Sequence, residues 1–312
     1  MNRLRFCIKL LAETRPFNYE ARRQYKRWVS PTQMAITKRK RELPPQPEPK
    51  RSTFVDWNRD SELYAFGKRL HEDFNTELLE QAFTHRSYII QEEQRQRELG
   101  IEDAKLDIID NRNLIEKGGE LTSEAIKRYL TKSFPLLPES GILVLHDYLM
   151  STEILAKASS LIGTKDIILT ADHPPTKETL GDTFLALVAA LAESTDVNRA
   201  TNFIRDFLIT ALATKDLTEI LCPNDPLQVL NDQLSKEMRA PAEPRLISQT
   251  GNNTFLSSYQ IAVYSNKQFL GSGFAQSIQE AKDVAALNAL YRIYGLADGS
   301  RPLKFDVNID MS

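Results

Sequence analysis

The chain has 312 residues, 41% hydrophobic and 26% charged, with a net charge of −2, which is room for two compact domains of roughly 100–200 residues each. No apolar run approaches the roughly 20 residues that a membrane-spanning helix needs, so no membrane span is expected. Cys7 and Cys222 are far apart and in no metal-ligand spacing, which argues against a disulfide framework or a zinc site and fits a reducing compartment.

The charge is unevenly spread along the chain. Residues 1–52 hold 14 Lys+Arg and 4 Asp+Glu, net +10, whereas the remainder holds 26 and 38, net −12. A basic arm before an acidic body suggests a targeting segment, a nucleic-acid-binding tail, or one after the other. The first twelve residues lack acids, and Leu4, Cys7, Ile8 and Leu11 share a helical face that Arg3, Arg5 and Lys9 avoid. That is the character of a mitochondrial presequence, with a disordered basic terminus as the plainer alternative. Further on, Arg22, Arg23, Lys26 and Arg27 are interleaved with Tyr19, Tyr25 and Trp28, and Lys38, Arg39, Lys40 and Arg41 run into a proline-rich linker at Pro44, Pro45, Pro47 and Pro49. Charge runs are often only solvated, but basic arms with aromatic residues can pair phosphates and stack on bases. These eight cations are therefore candidate RNA contacts.

From about Asp60 to Leu221 the apolar residues recur at helical spacing, as in Leu63, Phe66 and Leu70 and again in Val144, Leu145, Tyr148 and Leu149. Pro135, Pro138, Pro174 and Pro175 mark helix boundaries. From Pro223 the pattern becomes helix, three strands, helix. Leu227, Leu230, Leu234 and Met238 define one face of the first helix; Tyr259, Ile261 and Val263 alternate as a strand; Ser265, Asn266 and Lys267 form a turn before a return strand over 268–274. Ser277 and Glu280 have capping-box spacing, and Ala281, Ala285, Ala286 and Ala289 form a small-residue face on the last helix.

The stretch Leu78-Leu79-Glu80-Gln81-Ala82-Phe83-Thr84-His85-Arg86-Ser87-Tyr88 resembles the opening helix of the ribonuclease III family, Leu-Leu-x-x-Ala-Leu-Thr-His-x-Ser-Tyr. Active members carry Asn-Glu-Arg-Leu-Glu-Phe-Leu-Gly-Asp on one helix and an Asp followed three residues on by a Glu on a later one; these carboxylates hold Mg²⁺ for phosphodiester hydrolysis. The first signature overlays Asn111 to Gly119, anchored by Asn111, Leu114 and Gly118, so Ile115 replaces its Glu and Gly119 its Asp. The second overlays Leu180 to Ala186, where Asp182 matches the metal-binding Asp and Leu185 replaces the Glu. The resemblance thus implies a fold without its metal, with Asp182 a vestige or a helix-start residue, Glu116 turned away by one helical step of about 100°, and a structural role for His85.

The block of about seventy residues that begins at Pro223 resembles a double-stranded-RNA-binding domain in element order and in Leu270-Gly271-Ser272-Gly273-Phe274-Ala275-Gln276-Ser277. Family members follow this motif with two lysines that straddle phosphates; here Ile278 and Gln279 stand there, and Lys282 matches a third basic position. With Lys267 in the hairpin turn, Lys282 completes the candidate RNA contacts. Residues 223–295 hold 6 Lys+Arg and 6 Asp+Glu, so counterion release on duplex RNA should be small.

The expected organisation is a presequence and basic arm over 1–52, an all-α ribonuclease III-like domain over 53–222, an α-β-β-β-α double-stranded-RNA-binding domain over 223–296, and a tail over 297–312. As a whole the chain resembles the ribonuclease III-like proteins of the mitochondrial ribosomal large subunit. That implies a non-catalytic structural component in the mitochondrial matrix, with ribosomal RNA and neighbouring large-subunit proteins as partners, and with no cofactor and no small-molecule substrate. A free RNA-binding or RNA-processing factor and an active double-stranded-RNA endonuclease stay open as alternatives.

Overall fold

The computed structural model describes residues 31–42, 49–101, 105–251, 254, 256–296 and 307. The presequence-like start and Arg22, Arg23, Lys26 and Arg27 lie outside them. The chain divides into two units, residues 1–49 and 50–312. In the first, α1 (Pro31–Glu42) ends with Arg39, Lys40 and Arg41 in its last turn, where cations suit the negative end of the helix dipole.

The second unit begins with α2 (Arg59–Leu70), whose cap Asn58 accepts hydrogen bonds from the amides of Asp60 and Ser61. Then come α3 (Thr76–Ala82), α4 (Arg86–Glu98), α5 (Arg112–Ser133), α6 (Glu139–Leu149), α7 (Thr152–Ile162), α8 (Lys177–Ser194), α9 (Val197–Phe207) and the single turn α10 (Leu217–Ile220). Helix α7 stops at Gly163, which takes a left-handed φ of 87°, open to glycine without a Cβ clash. Pro135 and Pro138 fall between α5 and α6, and Pro174 and Pro175 just before α8. Helix α8 is the axis of the bundle: every residue from Thr183 to Leu191 is buried, and α3, α5, α7 and α9 pack around it. A helix apolar on all sides must lie inside others, because no face of it suits water.

The remainder builds a second core. Helix α11 (Pro226–Lys236) precedes an antiparallel sheet in the order β1 (Glu243–Thr250), β2 (Ser258–Ser265), β3 (Gln268–Ala275), and α12 (Ile278–Ile293) closes it. Asn266 and Lys267 turn the hairpin with φ of 52° and 66°, the left-handed pair that matches strand twist. Ser277 caps α12 by accepting from the Glu280 amide at 3.2 Å. Ala281, Ala285, Ala286 and Ala289 are fully buried against the sheet. Gly271 and Gly273 explain the Gly-x-Gly motif: a Cβ at 271 would lie 2.6 Å from the Ala289 amide nitrogen, and one at 273 would collide with that of Ala285. One expectation is corrected. Met238 does not extend the buried face of α11, because the helix ends at Lys236 and Met238 takes a φ of 54°, 96% exposed.

Candidate functional site

The positions that overlay the metal-binding carboxylates lie where α5 crosses α8. Gly118 is buried there, and a Cβ on it would strike the carbonyl oxygen of Leu185. Absence of a side chain at 118 lets the two backbones meet. The crossing turns Gly119 toward Leu185, with a Cβ at 119 falling 4.0 Å from the leucine Cδ1. Ile115, four residues before Gly119, lies on the same face of α5, and Asp182, three before Leu185, on the same face of α8. Ile115 packs on the core, Leu185 is only 9% exposed, and Glu116 points to solvent.

Asp182 is a part-buried carboxylate on the face of α8 that carries Leu185. Burial holds its pKa above the ordinary aspartate value, Glu178 pushes the same way, and the nearby His85 opposes them. It is not a helix-start residue: α8 begins at Lys177 with Thr176 as its cap, the Thr179 amide donating to the Thr176 hydroxyl at 3.2 Å, which places Asp182 in the second turn. Mg²⁺ sheds its waters reluctantly and takes oxygen ligands in octahedral array. Of the four overlaid positions only Asp182 carries a carboxylate, which does not fit it, and among the described residues no group of three or more His, Cys, Asp or Glu is placed to hold a metal.

The rest of the Thr-His-x-Ser-Tyr motif forms a clasp. His85 caps α4, its Nδ1 accepting from the Ser87 amide at 3.2 Å. The Ser87 hydroxyl lies 3.2 Å from the Thr170 hydroxyl and accepts from the Ala171 amide at 3.3 Å. The backbone joins the same two segments, with the His85 amide donating to Leu169 and the Leu169 amide to Phe83. Asn111, fully buried, ties the start of α5 to them: its amide donates to the Thr84 carbonyl at 3.2 Å and its side chain to that of Ala82 at 3.4 Å.

The candidate RNA contacts among the described residues fall on three separate elements. Lys38, Arg39, Lys40 and Arg41 are exposed on α1, Lys267 is exposed at the hairpin tip, and Lys282 is half-buried in the first turns of α12. Other cations of the carboxy-terminal domain are already engaged: Arg239 with Glu237 at 3.4 Å, Arg245 with Glu243 at 2.7 Å, and Arg292 over the Phe269 ring at 5.2 Å. Sequence reasoning missed a further group. Lys50, Arg51, Arg59 and Lys165 line a cleft in the helical domain; more than 100 residues separate its two halves, so no local pattern pointed to it.

Fold and crossing define a class: a ribonuclease III-like helical domain followed by a double-stranded-RNA-binding domain. Comparison with known proteins narrows it. The model of large ribosomal subunit protein mL44, endonuclease domain, matches residues 58–191, and that of the MRPL44 dsRNA-binding domain matches residues 221–312. The chain belongs to the mL44 family, both of whose domains it carries in order. It is 28% identical over 280 residues to large ribosomal subunit protein mL44 of Caenorhabditis elegans, covering 86% of this chain and 68% of that one. It is also 28% identical over 225 residues to ribonuclease 3 of Enterococcus faecalis, covering 69% and 90%. Among solved structures, the nuclease domain of Campylobacter jejuni ribonuclease III covers 47% of this chain and 94% of its own at 20% identity, with a TM-score of 0.39.

Proposed function

We propose that this chain is a structural constituent of the large subunit of the mitochondrial ribosome, located in the matrix and in contact with ribosomal RNA and neighbouring large-subunit proteins. Membership of the mL44 family supports the ribosomal assignment. We further propose that it cuts no RNA. The observation that carries this half is the face-to-face placement of Gly119 and Leu185 across the α5–α8 crossing, with Asp182 as the remaining carboxylate. Metal-assisted hydrolysis needs a cation to generate the nucleophile and stabilise the leaving oxygen, and these side chains offer it too few oxygens.

The eight cations of the arm, with Lys267 and Lys282, are the proposed RNA contacts, and residues 53–222 and 223–296 the proposed domain limits. Two experiments test the reading. Sedimentation of mitochondrial lysate should find the protein with the large subunit; a pool found only in light fractions would favour a free RNA-binding factor. Excess purified protein with duplex RNA and Mg²⁺, under single-turnover conditions, should leave the RNA intact. Cleavage abolished by Asp182→Asn would overturn the non-catalytic half.

A further inference from the structure

Between the segment entering α2, the first turn of α4 and the loop before α8 lies a cavity of about 240 Å³. Lys50, Arg51, Arg59 and Lys165 line it, against the carboxylates of Asp166 and Asp172. A surplus of cations is notable here, since residues 53–312 are net −12. The four differ in how far they are committed. Arg51 is spoken for: it pairs with Glu62 at 3.2 Å and Asp166 at 3.6 Å and lies over the Trp57 ring at 5.4 Å. Among the described residues Lys50 donates to the Thr170 carbonyl oxygen, at 3.4 Å, without an ion pair, and Lys165 is exposed and likewise without one.

Arg59 carries the argument furthest. Its Nη1 donates to the Ile167 carbonyl at 3.0 Å, but Nε and Nη2 are shut off from solvent and make no hydrogen bond. The Glu80 carboxylate stands 3.6 Å from Nε on a side chain that is 59% exposed. Burial pushes the Arg59 pKa below its usual value. A desolvated guanidinium with unused donors is costly unless an opposite charge comes close, and the carboxylates that act on this one, Glu80 and Asp60, both face solvent. The adjoining cavity, with Lys50 and Lys165 at its wall and in no ion pair among the described residues, is where an anion would offset that cost. Trp57 and Tyr88 also line it and give aromatic surface of the kind on which nucleotides stack.

We infer that this cleft binds a phosphodiester of RNA, with Arg59, Lys50 and Lys165 as its electrostatic anchors. The cavity is smaller than the roughly 300–1,000 Å³ of typical small-molecule sites, which suits one backbone phosphate and its sugar better than a folded ligand. The inference rests on the RNA-binding reading and adds a site in the helical domain to contacts otherwise placed on the arm and the carboxy-terminal domain.

The test uses the full chain and a fluorescent oligouridylate, with affinity measured by anisotropy over a range of salt concentrations. Replacing Lys50 and Lys165 together by Ala removes one 3.4 Å hydrogen bond and no ion pair among the described residues, so the variant should stay folded, as an unchanged unfolding temperature would verify. Removing one cation from a single-strand phosphate reduces the slope of log K against log salt by about 0.7, so the double variant should flatten it by about 1.4. Arg59→Lys keeps the charge but loses the planar fork and should weaken binding with a smaller change in slope. RNA carrying 4-thiouridine should crosslink to peptides spanning 50–59 or 165–173. If the unmodified chain binds RNA with a steep slope that the double variant retains, and no such crosslink forms, the cleft is overturned while the RNA-binding reading stands. If the unmodified chain shows no salt-dependent binding, both fall. Displacement of RNA by oligoglutamate of equal charge and at equal concentration would mark the cleft as an acidic-peptide site and overturn it as well.

Discussion

Gly118 of α5 lies against the main-chain carbonyl of Leu185 on α8, so close that a methyl group on the glycine would overlap the oxygen. Everything at the candidate site follows from this close approach. It sets the distance between the two helices and turns Gly119 toward Leu185, with Asp182 one helical turn away on the same face of α8. The glycine that anchored the sequence overlay thus has a packing reason to be there whether or not a metal is held nearby.

Gly118→Ala should therefore be among the most damaging small substitutions in the helical domain. Overpacking a filled interior typically costs about 1–3 kcal/mol and sometimes more, and here the obstacle is backbone. Gly119→Ala is the control, since its Cβ would meet Leu185 Cδ1 at an ordinary 4.0 Å. It should be neutral or stabilising, alanine being about 1 kcal/mol better than glycine inside a helix. Urea unfolding of both variants checks the contrast. Equal effects would mean that the helices do not meet at Gly118.

The elements were legible in the sequence where local chemistry decides them. Helical periodicity marked Leu63 and Phe66, both buried, and the Ala face of the last helix announced a helix packed close on a sheet, whereas the packing reason for Gly271 and Gly273 came only with the structure. Met238 was misjudged because period alone does not say where a helix stops, and the left-handed turn at that residue comes two positions after the last helical one. At the α5–α8 crossing, the motif overlay supplied the positions, but their opposition is a product of tertiary packing. The cleft around Arg59 was illegible for the same reason. Lys165 is adjacent to it only through the fold, and a desolvated guanidinium looks in sequence like any surface arginine.

Restoring the acids tests the site in the opposite direction. Ile115→Glu, Gly119→Asp and Leu185→Glu together should destabilise the protein in the absence of cations, since position 185 is only 9% exposed and a buried, unpaired carboxylate is costly. Mn²⁺ or Mg²⁺ should recover part of the loss by binding only the folded state. Thermal unfolding with and without the cation reads this out. RNA cleavage is not expected, because Ile278 and Gln279 stand where duplex-positioning lysines would be. Equal unfolding temperatures with and without the cation would show that the four positions do not converge.

Asp182→Asn should stabilise the protein at neutral pH. Burial raises the folded-state pKa above the reference 3.8, so the native state holds this proton more tightly than the unfolded chain does. The associated stability is complete below the unfolded value and is lost as pH rises through the folded one. Asparagine removes the ionisation, so its advantage should be present at pH 7 and shrink on acidification. Unfolding midpoints of both proteins across that range check the sign.

The Tyr291 hydroxyl on α12 donates to the Thr218 carbonyl at 2.7 Å, joining the second core to the single turn α10. Its burial raises the phenol pKa from 10.0 to about 12, which keeps the proton in place at any physiological pH. Tyr291→Phe leaves that carbonyl unsatisfied and should cost about 1–3 kcal/mol. Hydrogen exchange should quicken at 217–220. The original protein should also lose stability as pH rises from about 10 to about 12, a sensitivity the variant should lack at this site.

The basic arm should carry most of the remaining salt dependence of RNA binding. Residues 1–52 are net +10 while residues 223–295 balance at 6 and 6, and affinity for phosphates follows the number of cations that displace counterions. Lys50 and Arg51 belong to the second unit and its cleft, so the informative deletion is of residues 1–49. It should flatten the slope of log K against log salt by several units if most of the eight arm cations pair with phosphate, whereas Lys282→Ala should shift it by about one charge at most. Mapping the mature amino terminus of the native protein tells which cations remain. A terminus before Arg22 leaves both clusters available to the RNA. A terminus beyond Arg41 removes all eight, and the salt dependence of the mature protein would then have to come from the cleft, Lys267 and Lys282.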